Sequence, residues 1–113
     1  MPRAVRTKKT ERQDEVFKAL ADPTRRRILV LLGGEERRVV ELAERFAISR
    51  PAVSKHLAVL KRAGLVQMRR EGRDHYYSIA PKALKEAAGY VQDVEAFWAE
   101  KMTSLSRRLD GKQ

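Results

Sequence analysis

Apolar residues recur along most of this chain at intervals of three and four, and over one short stretch at intervals of two, which predicts helices interrupted by a small β element. Val16, Phe17 and Leu20 have helical spacing within Asp14 to Leu20, a short first helix. Asp22-Pro23-Thr24 supplies an N-cap carboxylate and a proline at the first helical position, where its missing N–H costs nothing. The second helix then runs through Ile28, Leu29, Leu31 and Leu32 and stops at Gly33-Gly34. Val39, Val40, Leu42, Ala43 and Phe46 form a third helix of about two turns, closed by Ala47-Ile48. Ser49 caps a fourth, Pro51 pre-sets its first turn, and Gly64 ends it. Two helices joined by so short a turn have helix-turn-helix spacing.

The period then changes from 3.6 to 2. Val66 and Met68 alternate with Gln67 and Arg69, and Tyr77 and Ile79 alternate with Tyr76 and Ser78. Arg70-Glu71-Gly72-Arg73-Asp74 between these runs is a glycine-containing hairpin turn, so the pair of strands forms a wing. From Pro81 the helical period returns for nearly thirty residues, with Leu84, Ala88, Val91, Val94, Trp98, Met102, Leu105 and Leu109 three or four apart. Such a helix is about 40 Å long and outreaches the core of so small a domain. Part of its stripe needs cover from elsewhere, and a second copy of the chain is the simplest cover, which makes Val91, Val94, Trp98, Met102 and Leu105 candidate interface residues. The predicted fold is mainly α with a small β-hairpin: a winged helix-turn-helix with a long C-terminal dimerisation helix. Residues 1–13 are expected as a basic flexible leader, 14–80 as the winged helix-turn-helix domain, and 81–113 as the dimerisation helix packed on that domain.

Charge sharpens the picture. The 113 residues carry a formal net charge of +10, which points to a polyanionic partner. The surplus is uneven: residues 1–13 hold five positive and one negative charge, 14–48 seven of each, 49–75 seven and two, and 76–113 six and five. The central block coincides with the helix-turn-helix and the wing. With 42% hydrophobic residues the chain can build a core, yet no apolar run approaches the roughly 20 residues of a membrane span. No secretory leader is apparent in Met1 to Arg12, so a cytoplasmic location is expected. There is no cysteine, which removes thiolate metal sites, thiol sensing and cysteine nucleophiles together. Nor is there a Walker loop or dinucleotide glycine run, so an enzyme is disfavoured.

The fourth helix repays projection at about 100° per residue. Val53, Leu57 and Leu60 cluster within about 60° on the core side, and Pro51, Ser54, Lys55, Ala58 and Arg62 lie opposite. A basic face of small residues lets a helix backbone enter the major groove. Arg50, at the leading end beside the capping Ser49, has the fork for a guanine O6/N7 pair, and Ser54 and Lys55 can reach a base edge or a phosphate. His56 is on the flank, at about 240° from Arg50, where packing or hydrogen bonding competes with DNA contact. In the wing, Arg69, Arg70 and Arg73 surround Gly72, a composition suited to a narrow minor groove or to phosphates. His75 is open to either phosphate contact or solvent. Ser54 and His56 are two apart and diverge, so they make no nucleophile-base pair.

The runs FKALADPTRRRILVLL (17–32), ELAERFAISRPAVSKHLAVLKRAGLV (41–66) and RREGRDHYYSI (69–79) strongly resemble the ArsR/SmtB family of winged helix-turn-helix repressors. The resemblance implies homodimers on pseudo-palindromic double-stranded DNA operators, with the fourth helix in the major groove and the first and last helices at the dimer interface. It assigns Arg50, Pro51, Ser54 and Lys55 to base-reading positions, Arg70 and Arg73 to the wing, and adds Val16, Phe17 and Leu20 to the interface. ADPTRRRIL and VEAFWAEKM (94–102) resemble the metal-independent branch. Where the family's metal sensors carry cysteines, this chain has Arg38, Val39 and Val40, and no histidine follows residue 75. The carboxylates Glu86, Asp93, Glu95 and Glu100 alone make a poor transition-metal site. No metal or cofactor is expected, and an effector, small molecule or protein, has no identity in the sequence. The competing reading is a non-specific module for chromosomal DNA or RNA.

Overall fold

The computed structural model describes residues 7–111. Five helices and three short strands follow one another: α1 Lys8–Leu20, α2 Pro23–Leu31, β1 Arg37–Arg38, α3 Val39–Phe46, α4 Arg50–Arg62, β2 Val66–Glu71, β3 Asp74–Ile79 and α5 Pro81–Leu109. The strands form one antiparallel sheet in the order β1-β3-β2. This is the winged helix-turn-helix arrangement expected from the periodicity.

Local chemistry accounts for most boundaries. The Asp22 carboxylate accepts from the Arg25 backbone N–H at 3.0 Å, and this hydrogen bond holds the carboxyl below the usual aspartate range. At the C-terminal end of α4, Gly64 takes φ 78°, the Gly64 N–H donates to Lys61 O and the Leu65 N–H to Leu60 O, both at 2.9 Å. That pair of bonds satisfies carbonyls the helix would otherwise orphan, and turns the chain into the hairpin.

Two expectations are corrected. The first helix begins at Lys8, not Asp14, because the Thr7 hydroxyl accepts from the Thr10 N–H at 3.1 Å and caps it. Residues 8–13 are therefore helical, and only residues 1–6 of the expected leader lie outside those described. The second correction is β1, for which two residues provide no period. Arg37 and Arg38 pair with Tyr77 and Tyr76 of β3 and make the hairpin a three-stranded sheet.

Three arginines crowd the first turn of α2, the end of the helix dipole that disfavours cations. The tertiary structure supplies the reason for two of them. Arg25 donates through Nε to Ala19 O at 2.7 Å and through Nη2 to Lys18 O at 3.1 Å, and Arg26 donates to Leu20 O at 2.7 Å. They cap the carbonyl end of α1, where positive charge is favoured.

The core gathers Val16 and Ala19 of α1, Ile28, Leu29 and Leu32 from and beside α2, Leu42 of α3, and Val53, Leu57 and Leu60 of α4, closed by Leu65, Val66 and Ala87. Each fully buried leucine or isoleucine contributes about 1.5–3 kcal/mol relative to exposure. Only the first turns of α5 reach this core, through Ala87 with Ala83 beside it. The molecule measures 67 × 30 × 22 Å, and the 29-residue α5, about 43 Å long at 1.5 Å per residue, accounts for its elongation.

Candidate nucleic-acid interface

The turn between α3 and α4 is three residues long. Ala47 closes α3 in the left-handed region at φ 52°, the Ile48 N–H donates to Ala43 O at 3.3 Å, and the Ser49 hydroxyl accepts from the Ala52 N–H at 3.2 Å to start α4. The relative direction of the two helices follows from this turn. Val53, Leu57 and Leu60 then anchor one side of α4 in the core with no exposed surface. That rotation leaves Pro51, Ser54, Lys55, Ala58 and Arg62 exposed together on the other side, and Ser49 and Arg50 exposed at its leading end. Among the described residues, Arg50, Ser54 and Lys55 have no hydrogen-bonded or ion-paired side-chain partner, so their polar atoms are solvated and available.

His56 departs from this group. It is half-buried, its Nδ1 lies 3.5 Å from Arg25 Nη1, and it adds to the positive field around Asp22. Its flank position turns the ring toward the start of α2. The structure thus gives it a packing position between two helices and not a place on the outward face.

The wing is tighter than the sequence implied. Strand pairing continues to Glu71 opposite Asp74, leaving a two-residue turn in which Gly72 takes φ 61°, the positive φ such turns need at their first position. The three wing arginines have separate fates. Arg69 donates to Glu36 through Nε at 3.0 Å and Nη2 at 2.9 Å, to Glu71 at 2.7 Å, and lies over the Tyr76 ring. These bonds hold the Glu36 carboxyl below its usual range and raise the already high pKa of Arg69. Arg69 therefore ties the wing to the segment before β1. Arg70 donates from Nε to His75 Nε2 at 3.3 Å. Arg73, in the turn itself, is exposed and has no such partner among the described residues. Beside it a cleft of about 260 Å³ opens between the wing tip, the start of α3 and the start of α4, lined in part by Arg38, Arg50, Arg73 and His75.

Outside this cleft, α5 carries exposed Val91, Trp98, Met102 and Leu105, with Val94 half-buried. Leu84, Tyr90, Phe97 and Leu109 are exposed as well and extend the apolar surface. Phe97 and Trp98 meet edge to face at 5.5 Å, and Phe17 of α1 packs on Tyr90 at 5.7 Å. Phe17 and Leu20 are half-buried at the edge of the core, where they retain surface to share. Val16 is not available in this way: it is 4% exposed, committed to the core of its own chain, because it falls on the side of α1 that faces the domain. Among the described residues no group of three or more histidine, aspartate or glutamate side chains is gathered as a metal would need, and no helix is long and apolar enough to cross a membrane.

The family described as bacterial regulatory protein, arsR family, matches residues 22–68, from the cap of α2 into β2. The chain is 41% identical over 78 residues to the transcriptional repressor SdpR of Bacillus subtilis (strain 168), which covers 69% of this chain and 87% of that relative. An ArsR-like transcriptional regulator from Rhodococcus sp. RHA1 has a similar structure, with a TM-score of 0.76 at 30% identity over 91% of this chain and 96% of the other. The homodimeric winged helix-turn-helix DNA-binding domain of a possible ArsR-family regulator from Mycobacterium bovis matches with a TM-score of 0.64 at 34% identity, over 83% and 91% of the two chains.

Proposed function

Because the chain belongs to the arsR family of bacterial regulatory proteins, we propose that this DNA-binding transcriptional regulator acts as a homodimeric repressor on a pseudo-palindromic operator, without metal or thiol sensing. One observation carries the reading: the leading end and outward face of α4 present Arg50, Ser54 and Lys55 exposed and unpartnered among the described residues, beside a wing tip whose Arg73 is equally unpartnered among them. A helix and a hairpin so arranged enter a major groove and the adjoining minor groove. Arg50 reads a base edge, Ser54 and Lys55 take base or phosphate contacts, and Arg70 and Arg73 hold the backbone or minor groove. Two half-sites follow from two copies of α4, brought together through α1 and the exposed stripe of α5.

Metal independence is supported by the donor set. The sequence has no cysteine, and its two histidines are on different elements, each with a ring nitrogen facing an arginine, His56 toward Arg25 and His75 toward Arg70. Cationic neighbours of that kind oppose a bound transition metal. The decisive experiment is a footprint of the purified protein on the DNA upstream of its own gene. A protected inverted repeat is expected there, and Arg50→Ala should cost about 1–3 kcal/mol on it and relax preference at one position per half-site. Equal affinity for operator and random duplex at every salt concentration would replace this reading with the non-specific module.

A further inference from the structure

We infer that the cleft between the wing tip and the starts of α3 and α4 is the seat of one DNA backbone phosphate in each half-site, and that Arg38, a residue outside both the recognition helix and the wing, is one of its ligands. The inference rests on the DNA-binding reading above and deepens it. When a helix occupies a major groove and its neighbouring hairpin the next minor groove, the sugar-phosphate strand separating those grooves must pass between helix and hairpin. In this molecule the space between them is the cleft of about 260 Å³. Its polar walls come from three elements: Arg50 at the head of α4, Arg73 and His75 from the wing, and Arg38 from β1. Asp74 is the one carboxylate among the lining residues. Three guanidinium groups around one carboxylate leave the cleft with a surplus of positive charge and planar forks suited to a phosphate.

Arg38 arrives there because β1 pairs with β3, which sets Arg38 opposite Tyr76, two residues from Asp74. In the free protein its Nη1 is 3.8 Å from Asp74 Oδ1 and its Nε 3.4 Å from Glu41 Oε1. Both interactions are long and partly solvated, so they are cheap to exchange. An incoming phosphate competes with Asp74 for the same guanidinium, and Asp74 acts as the placeholder that keeps Arg38 turned to the cleft. Arg50 lines the same cleft, so a phosphate seated there fixes the register from which Arg50 reads its base.

The test compares wild type, Arg38→Gln, Asp74→Asn and Arg37→Gln for affinity to operator and to random duplex across a salt series. Arg37 is the control: it neighbours Arg38 and carries the same charge, but its partners are Glu35, Glu41 and the Leu31 carbonyl, and it does not line the cleft. Arg38→Gln is expected to weaken both duplexes by a similar factor and to lower the salt slope by about one counterion per half-site, about two per dimer. Arg37→Gln should leave the slope unchanged. Asp74→Asn should tighten both duplexes, a gain that misfolding cannot imitate. The cap of α3 survives Arg38→Gln, since it is the backbone N–H of Arg38 that donates to Glu41, at 3.0 Å. A duplex with one neutral methylphosphonate at the seated position should erase the difference between wild type and Arg38→Gln, while methylphosphonates elsewhere preserve it. Equal effects of Arg37→Gln and Arg38→Gln, or no effect of either, overturn the seat and leave the DNA-binding reading standing. Failure of wild type to bind any duplex overturns both. Displacement of operator by millimolar inorganic phosphate at matched ionic strength would assign the cleft to a free oxyanion and also overturn it.

Discussion

Trp98 is the only tryptophan in the chain and is 57% exposed in one protomer, so the proposed dimer can be weighed and watched at a single residue. A tryptophan has roughly 250 Å² to bury, which leaves about 140 Å² per protomer for a partner. At about 25 cal/mol per Å² its complete cover is worth about 3.5 kcal/mol. Truncation to alanine retains the β-carbon, and the edge of an interface covers less than its centre, so Trp98→Ala should cost about 2 kcal/mol per protomer. Two protomers double this to about 4 kcal/mol, or about a thousandfold in the dimer dissociation constant. The assay is sedimentation equilibrium over a wide concentration range, paired with tryptophan emission of the wild type on dilution, which should shift to longer wavelength as dimers part. Val30→Ala supplies the control, being a large exposed apolar residue on α2 and away from the stripe. A wild type that is monomeric at micromolar concentration, or a Trp98→Ala variant that associates as tightly as wild type, would refute the assignment of α5 as the dimer surface.

Three further outcomes are expected. Arg69 is bound to Glu36 and Glu71 and covers Tyr76, whereas Arg73 is unpartnered among the described residues; Arg73→Ala should therefore weaken specific and random duplexes alike and reduce the salt slope by about one counterion for each phosphate it no longer neutralises, while Arg69→Ala should lower the melting temperature and change the slope little, and a reversed pattern in the titrations would contradict the wing geometry. The Asp22 carboxyl is held below its usual range by the Arg25 N–H, so its stabilising contribution is full above the unfolded aspartate value of about 3.9 and is lost as pH falls through the lower folded value; thermal melts should separate wild type from Asp22→Asn at neutral pH and converge in strong acid, and a constant gap would count against the cap. Stoichiometric Zn²⁺ and thiol oxidants should leave operator affinity unchanged, and calorimetry revealing a tight zinc site coupled to operator release would overturn the metal-independent reading.

Much of the candidate interface was legible because it depends on short-range chemistry. The Asp22 and Ser49 caps, Pro23 and Pro51 at helix starts, and the change of period at Val66 each act within a few residues, and the helices begin and end where these signals stand. The same periodicity that sends Val53, Leu57 and Leu60 inward leaves Ser54 and Lys55 outside, so the outward face of α4 was readable as soon as the core side was known, with Arg50 exposed at its leading end. The length of α5 and its apolar stripe likewise follow from spacing alone.

Long-range pairing decided the rest. Nothing in Glu35-Glu36-Arg37-Arg38 announces a strand, since two residues form one only when a partner edge is already present, and β3 provides that edge. The extra strand carries Arg38 into the cleft beside α4, and brings Glu36 to Arg69, which turns one wing arginine into a tether, while Arg73 is unpartnered among the described residues. Arg25 and Arg26, ill-placed for their own helix, make sense only once α1 ends beside them with unpaired carbonyls. A helical wheel places His56 and Val16 without any knowledge of which neighbour will cover their flanks, and both are covered. The helices, their caps and the faces they present are thus properties of the linear chain, because hydrogen bonds and hydrophobic spacing act locally. Which of the many exposed cations are committed to neighbours and which remain for DNA is a property of the folded molecule, because a charge finds its partner by proximity in space and not along the chain.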